Sequence, residues 1–492
     1  MMQSTYRQRA KQNKRMANEF IVAIELGSSK IVGIAGKKNM DGSISVKACV
    51  KEDSSSFIRK GVVYNIDKTA QSIANIVAKL SSALKTEIAH VCVGIGGQSI
   101  HSVKNIVAKD LPPETVVTQD MVDELQDTNS RASYPDMMIL DAVPQEYKVD
   151  NQEETDPVGV QCERIEGHYL NICGRKTFYN NLNKCFEKAR VNVSDMFLSP
   201  LALADSVLTD AEKRSGCVLV DLGAETTTVS VYHKNILRHL VVIPLGGRNI
   251  TKDIASFRME EAEAEKMKTE HGRAYTDSTD NDSQLKLPLD DGRQIDGRTF
   301  TEIVEGRLQE IIENVQYQIP AAYSDRLMGG IILTGGGSNM RDIEKAFRVY
   351  THIDKVRRAN FVTTSIEAKN PLITAHDGTM NTVLGLLLKC KTNCAGNPLN
   401  TKPDLFGESG SPASDADGIA PRKPGEPGSG QVPTAAEKQK MEEERRRKEE
   451  EQRKEEERQK AEEGARKKER SGMRSLWRKM KEGFDKLLTE DE

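Results

Sequence analysis

Short apolar runs broken by glycine fill the first 250 positions, and one order of runs occurs twice. Phe20 to Leu26, Lys30 to Ala35 and Ile44 to Val50 read as three strands of a meander. Cys217 to Asp221, Thr228 to Tyr232 and Ile236 to Ile243 repeat that arrangement, an internal duplication of architecture rather than of identity. Elsewhere the period is helical. After Asp67, a residue able to cap a helix, Ile73, Ile76, Val77, Leu80 and Leu84 share one face. Val91 to Ile95 is a further strand ending in Gly96-Gly97. Leu182, Cys185, Phe186 and Ala189, then Pro200 to Leu208, then Thr301 to Ile319, then Thr379 to Leu388 read as helices, and Gly330 to Thr334 as a buried strand.

These patterns predict an α/β chain of two related lobes with an insertion, followed by a disordered linker and a C-terminal helix. The expected segments are a basic arm at 1–18, a first subdomain at 19–85, an inserted one at 86–165, and a return to the first at 166–209. The second lobe follows as 210–250, an excursion at 251–320 with a polar hairpin at 272–298, and 321–365. A return helix lies at 366–390. A Pro/Gly-rich linker covers 391–433, too poor in apolar residues to fold. Thr434-Ala435-Ala436-Glu437 fits a capping box that opens a charged helical spacer at 434–470, where pairs such as Glu442 and Arg446 support an isolated helix.

The strand ends carry the chemistry. Glu25-Leu26-Gly27-Ser28-Ser29-Lys30 and Asp221-Leu222-Gly223-Ala224-Glu225-Thr226-Thr227 each present an acid, a glycine and small residues between two strands. Glycine lets such a turn bring its backbone N–H groups close to an anion. Gly335-Gly336-Gly337-Ser338 also follows a strand and opens a helix, so its N–H groups can face a phosphate or ribose. Two facing turns would grip one polyphosphate and its metal. Asp221 would hold Mg²⁺ through water, with Glu25 as the second acid. Lys30 is placed to approach a phosphate or to face solvent at a strand edge. Glu265 and Lys268, one helical turn apart, reach the same edge of a nucleoside or form a solvated pair; Gly247, where Gly246-Gly247 opens a helix, is a further candidate for nucleotide binding.

The two turns and the triple-glycine element resemble the actin/Hsp70/sugar-kinase ATPase superfamily with its RNase H-like lobes. Within it, several runs resemble the FtsA family of bacterial actin-like cell-division proteins. They are Pro144-Gln145-Glu146-Tyr147-Lys148-Val149-Asp150 with Asp156-Pro157-Val158-Gly159, Gly246-Gly247 with Thr251 and Asp253-Ile254, Glu265 and Lys268 before His271-Gly272, and Glu302-Ile303-Val304-Glu305-Gly306-Arg307. The resemblance implies subdomains 1A, 1C, 2A and 2B, with 1C as the insertion. It also implies an ATP-binding, filament-forming adaptor with Mg²⁺ that tethers the tubulin-like FtsZ to the inner membrane and recruits later division proteins through 1C. Arg307 and Glu310 lie on the helix that in the family takes the FtsZ C-terminal tail. Glu25 stands where the superfamily usually has Asp, and Asp377-Gly378-Thr379-Met380 replaces a small, aromatic-containing run. No general base is evident, although Asp205 lies near the place of actin's water-orienting Gln. Hydrolysis, if present, is expected to be slow. The rival readings are a sugar-kinase-like phosphotransferase, a membrane-free actin-like filament and a chaperone-like ATPase.

Charge and cysteine content sharpen this only at the ends. The 492 residues carry a net charge of −3, which names no partner and gives no reason to expect nucleic-acid binding. Eight scattered cysteines lack zinc spacing, since Cys390 and Cys394 have no second pair, and reduced cytosolic thiols are expected. No signal peptide and no run of about 18 apolar residues occurs, so membrane association would be peripheral. The last segment, 471–492, offers it. Met473, Leu476, Trp477, Met480, Phe484, Leu487 and Leu488 fall on one helix face, flanked by Arg474, Arg478, Lys479, Lys481 and Lys486. Such a helix lies in an anionic membrane surface, here the cytoplasmic face of the inner membrane at the division site; docking on a partner is the alternative.

Overall fold

The computed structural model describes residues 19–277, 286–290, 292–398, 428–447, 450 and 453–454. The chain divides after Pro433 into two units.

The first unit is built on the duplication. Ile21–Leu26 (β1), Lys30–Lys38 (β2) and Ile44–Asp53 (β3) form an antiparallel meander. Helix Ile66–Leu84 (α1) then buries Ile73, Ile76 and Leu80 and leads toward Val91–Ile95 (β4), which pairs parallel with β1. The cap of α1 is Asn65, whose side chain accepts from the Lys68 N–H. Asp67, the expected cap, sits in the first turn instead. An inserted layer follows: His101–Val116 (β5), Gln119–Ser130 (α2), Met137–Val149 (β6) and Gln161–Arg175 (β7), with β7 antiparallel to both β5 and β6. Its own small core holds Leu111, Val122, Leu125, Tyr147, Ile165 and Tyr169. The insertion therefore begins after β4, because β4 is a central strand of the first sheet, and it runs to Arg175 rather than to 165.

Lys176–Ala189 (α3), Val193–Leu198 (β8) and Ser199–Val207 (α4) return to the first lobe, where β8 pairs parallel with β4. In the second lobe Cys217–Leu222 (β9), Thr227–His233 (β10) and Ile236–Ile243 (β11) repeat the meander. Helices Gly247–Ala255 (α5), Glu261–His271 (α6) and Gly297–Tyr317 (α7) form the excursion, with a two-strand hairpin of Lys286–Pro288 and Gln294–Asp296 before α7. Gly330–Thr334 (β12), Ile343–Thr351 (α8) and Val356–Arg358 (β13) complete the lobe, β12 lying parallel to both β9 and β13. The sheets thus share one strand order, β3-β2-β1-β4-β8 and β11-β10-β9-β12-β13; one apolar core fills the first lobe and takes in one face of the second sheet through Leu219, Leu240 and Ile332, and another packs on its other face through Val218, Val220 and Leu333. The insert joins the second sheet, β5 lying beside β11. This is the duplicated actin-like fold.

Helix Asn381–Lys389 (α9) brings the chain back to the first lobe. Both ends of the expected linker are folded. Ala395–Pro398 (β14) pairs with Thr86–Ile88, and Gln431–Val432 (β15) extends the first sheet beyond β8. There, Asp141 of the insert accepts from the N–H groups of Gly428 (3.2 Å) and Gly430 (2.8 Å), Lys389 donates to Ser429 O, and Tyr179 donates to Pro433 O. The thiols are not all separate either, for Cys92 and Cys390 are joined as a disulfide.

The second unit opens with the expected capping box. Glu437 accepts from the Thr434 N–H at 2.8 Å, the Thr434 hydroxyl accepts from the Glu437 N–H at 3.3 Å, and residues 435–447 are helical. Most of the charged spacer and all of 471–492, with Met473, Trp477 and their neighbours, lie outside the described residues, as does the arm at 1–18.

Candidate nucleotide site

The two acid–glycine turns are the same object twice. Gly27 N–H donates to Lys30 O at 2.9 Å, and Gly223 N–H donates to Thr226 O at 2.9 Å. The last strand pairs before each turn are Leu26↔Ile31 and Leu222↔Thr227. A Cβ on Gly27 or Gly223 would lie 2.9 or 2.8 Å from the carbonyl that closes its turn, so each turn needs glycine at its first position. The equivalence pairs Glu25 with Asp221, Ser28 with Ala224, Ser29 with Glu225 and Lys30 with Thr226. Thr227 then starts β10 with its hydroxyl on Leu245 O, a structural bond.

Charge gathers below the turns. Glu25 Oε2 is sealed from solvent and has no hydrogen-bond partner among the described residues. Burial pushes the Glu25 carboxyl up to about 7, with Lys30 opposing and Asp221 reinforcing. Burial likewise pushes Asp221 up to about 6 against the pull of Lys30. Lys30 donates to Thr379 O at 2.9 Å; burial lowers its pKa while Glu25 raises it. Lys30 therefore faces inward, not to solvent. Gly335 has a φ of +81°, and a Cβ there would meet Asp221 Oδ1 at 2.3 Å. The triple-glycine loop is thus folded directly against the second acid. It continues as a short 3-10 turn, Gly336–Asn339, rather than into an α-helix, and the Ser338 hydroxyl is spent on Gly335 O at 2.7 Å. A Cβ on Gly336 would meet nothing nearer than Thr379 Cγ2 at 3.7 Å, whereas one on Gly337 would crowd Leu222.

On the other side, Lys268 donates to Gly247 O (3.1 Å), Thr251 Oγ1 (2.9 Å) and Glu265 (2.6 Å). These bonds hold the N-terminus of α5 against α6, and Gly247 N–H donates back to Gly223 O at 3.0 Å. Sequence pattern does not disclose the residues that join the turns to their surroundings. The Ser28 hydroxyl accepts from Gly61 N–H at 2.7 Å. Glu225 accepts from Lys60 N–H at 2.6 Å and from Arg248 at 3.2 Å, so one carboxylate links both lobes. Lys60 and Gly61 form the two-residue turn of a short hairpin, Ile58–Arg59 with Val62–Val63, and only their nearness in the fold marks them as part of the site.

The family model described as "Cell division protein FtsA" matches residues 218–378, and that of the "SHS2 domain inserted in FTSA" matches 97–173, the stretch of β5 to β7. Cell division protein FtsA of Porphyromonas gingivalis is 32% identical over 339 residues, 67% of this chain and 71% of that protein. The chain belongs to the FtsA cell-division family. The Bacillus subtilis FtsA is also 32% identical, over 66% of this chain and 74% of its own. A chain of a PilM–PilN type IV pilus biogenesis complex shares the fold, with a TM-score of 0.52 and 14% identity over 75% of this chain and 98% of its own.

Arg307, expected from the FtsA resemblance, and Asp205, expected from actin, are both engaged within the protein. Arg307 binds Asp253 of α5 through Nε (2.5 Å) and Nη2 (3.2 Å) and also contacts Glu310, so its charge is shared between α7 and α5. Burial opposes ionisation of Asp205, but Lys389 and Lys213, each at 2.7 Å, outweigh it and hold its pKa low. A carboxylate clamped by two lysines is a poor water-orienting group. No helix among the described residues is long and apolar enough to cross a membrane.

Proposed function

We propose that this chain binds ATP with Mg²⁺ between its two lobes, polymerises, and tethers FtsZ filaments to the cytoplasmic membrane at the septum, where it recruits later division proteins. The observation that carries the nucleotide reading is the pair of equivalent turns closed by Gly27 and Gly223 above two buried acids.

Glu25 and Asp221 would hold the Mg²⁺. They are hard oxygen donors of the type it takes, and the orphaned Glu25 Oε2 fits a cation. When bound, Mg²⁺ would neutralise phosphate charge. The N–H groups of Ser28, Ser29, Ala224, Glu225 and Thr226 serve the phosphate oxygens, and Lys30 adds positive charge. Gly335, Gly336, Gly337 and Ser338 cover the nucleoside from one side, and Gly247, Glu265 and Lys268 from the other. The clamped Asp205 and the longer Glu25 side chain favour a nucleotide-gated adaptor, at most a slow ATPase. Arg307 and Glu310 present a charged edge for the FtsZ tail. Met473, Leu476, Trp477, Met480, Phe484, Leu487 and Leu488, with Arg474, Arg478, Lys479 and Lys481, form the peripheral anchor. Many weak anchors on one filament hold by avidity.

The test is co-flotation of FtsZ with anionic vesicles in the presence of this chain and Mg-ATP. FtsZ floats with the full chain and stays behind with a chain ending at Arg470 or carrying Trp477→Glu. Equal flotation removes the tether. Arg307→Ala abolishes FtsZ flotation while the chain itself still floats.

A further inference from the structure

Away from the nucleotide cleft, Cys92 of β4 and Cys390 and Cys394, on either side of the turn after α9, bring three sulphurs within 4.8 Å of one another. All three residues are fully buried. The Cys92–Cys390 disulfide joins positions 298 apart, yet two neighbouring features have no role in a disulfide. The first is Cys394, whose Sγ accepts the Val22 backbone N–H at 3.3 Å and, as a thiol, donates to Thr392 O at 3.4 Å. An N–H directed at sulphur stabilises a thiolate ligand. The second is the buried carboxylate of Asp195 on β8. Its Oδ2 lies 3.6 Å from Cys92 Sγ, oriented by the Thr392 hydroxyl at 2.8 Å and the Gln431 amide at 3.4 Å. A disulfide sulphur has no proton to give that carboxylate. Among the described residues, no lysine or arginine forms an ion pair with Asp195.

We propose that Cys92, Cys390, Cys394 and Asp195 form a structural site for one thiophilic divalent cation, Zn²⁺ in preference. Three sulphurs and one carboxylate oxygen make a closed tetrahedral set. With Zn–S of about 2.3 Å and Zn–O of about 2.0 Å, ligand sulphurs lie about 3.8 Å apart and sulphur to oxygen about 3.5 Å. The Cys92-to-Asp195 separation of 3.6 Å already matches, whereas the carboxylate is not one of the donors that lie within 4.8 Å of one another, so it must swing toward Cys390 and Cys394 to complete the set. Opening Cys92 and Cys390 to that spacing requires the bond between them to be absent. A dithiol reductant supplies two electrons and two protons to the disulfide and is itself oxidised to a disulfide. Metal binding then releases the three thiol protons to solvent. The ligands come from β4, β8 and the turn where α9 ends. The ion would therefore rivet the segment after α9 to the centre of the first sheet. The C-x₃-C spacing of Cys390 and Cys394 alone did not reveal this, because the other two donors come from distant strands.

The experiment uses the full chain, purified with a dithiol reductant and without chelator. Elemental analysis is expected to find one zinc per chain. Replacing zinc with Co²⁺ is expected to give the sulphur-to-cobalt charge-transfer absorption and the visible bands of a tetrahedral ion. Cys394→Ser loses the bound zinc and Asp195→Asn weakens it at least tenfold, while Cys49→Ser, outside the cluster, changes neither. The cobalt spectrum of the unaltered chain keeps the test valid should a variant fail to fold. A reduced chain offered excess Zn²⁺ that stays metal-free would overturn the site. So would mass analysis showing the Cys92–Cys390 disulfide intact beside a free Cys394 under the same reductant.

Discussion

Lys60 of the first lobe donates its backbone N–H to Glu225 of the second at 2.6 Å, and Arg248 grips the same carboxylate at 3.2 Å. Glu225 occupies the turn that is proposed to hold phosphate, so one residue couples the turn to closure of the lobes. A hydrogen bond to a charged group contributes about 1.5–3 kcal/mol when buried. Here the Lys60 end is exposed and water can replace the lost acceptor, so the expected net effect of Glu225→Ala is about 1 kcal/mol. ATP affinity, read by titration calorimetry, should fall about fivefold, with Glu225→Gln between the two. Unchanged affinity in Glu225→Ala would show that the link has no part in nucleotide binding.

The triple-glycine loop allows a sharper contrast. A Cβ on Gly335 meets Asp221 Oδ1 at 2.3 Å at a φ of +81°, whereas one on Gly336 meets nothing within 3.6 Å. Gly335→Ala should destabilise the ligand-free protein by about 1–3 kcal/mol, through backbone strain and displacement of the acid. Gly336→Ala should leave its denaturation midpoint within about 0.5 kcal/mol of the parent. Gly336→Asp should likewise fold but lose ATP, because it places a negative charge where phosphate or ribose is proposed to sit. Normal ATP binding by Gly336→Asp would remove this loop from the site.

The contrast shows which features a single chain announces. The turns are legible because acid, glycine and small residues recur at one spacing after apolar strands, and the strand order follows from the repeated meander. Val91 to Ile95 reads as part of the insertion because polar sequence follows it, whereas its place is decided by parallel pairing with β1 and β8. Gln431–Val432 has no periodicity to read. Its strand rests on bonds to partners far away in sequence, Asp141 and Leu198 among them. The cap of α1 falls on Asn65 rather than Asp67 because the helix begins earlier than its apolar stripe. The Cys92 cluster and the Lys60–Glu225 link are juxtapositions across the fold, and spacing carries no trace of either.

The two buried acids make stability depend on pH in a definite direction. Burial raises Glu25 from its ordinary 4.5 to about 7 and Asp221 from 3.8 to about 6. A carboxyl whose folded pKa exceeds its unfolded value holds its proton more tightly in the folded state. The contribution is present in full below about 4 and is lost as pH rises through about 7. A tenfold gain in proton affinity is worth about 1.4 kcal/mol, so the loss is on the order of a few kcal/mol. Melting temperature measured without divalent cations should therefore fall between about pH 4 and pH 7, the interval between the unfolded and folded pKa values of the two acids, and level off above it. Glu25→Gln should flatten the fall, and Mg-ATP should offset it by compensating the ionised pair. An unaltered slope in Glu25→Gln would mean that other groups govern the profile.

Asp141 holds the returning segment to the first lobe. Its carboxylate receives the N–H groups of Gly428 and Gly430, while Leu198 N–H donates to Gly430 O at 2.7 Å. Asp141 belongs to β6 of the insert, so the segment that precedes the charged spacer is fastened by two subdomains at once. Asp141→Ala leaves two N–H groups without their acceptor, at a cost of about 1–3 kcal/mol, with the bonds charge-assisted only above the pH of about 7 to which burial pushes this carboxyl. Val432, buried on this edge, is then held by pairing with β8 and by the bonds that Leu198, Lys389 and Tyr179 make to Gly430, Ser429 and Pro433. Hydrogen exchange at the Gly430 and Leu198 amides should accelerate at least tenfold, corresponding to about 1.4 kcal/mol of lost protection. Amides of β9 in the second lobe should exchange as before, and Asp141→Asn, which keeps one acceptor oxygen, should lie between. Equal exchange in all three proteins would show that β15 is held by pairing with β8 alone.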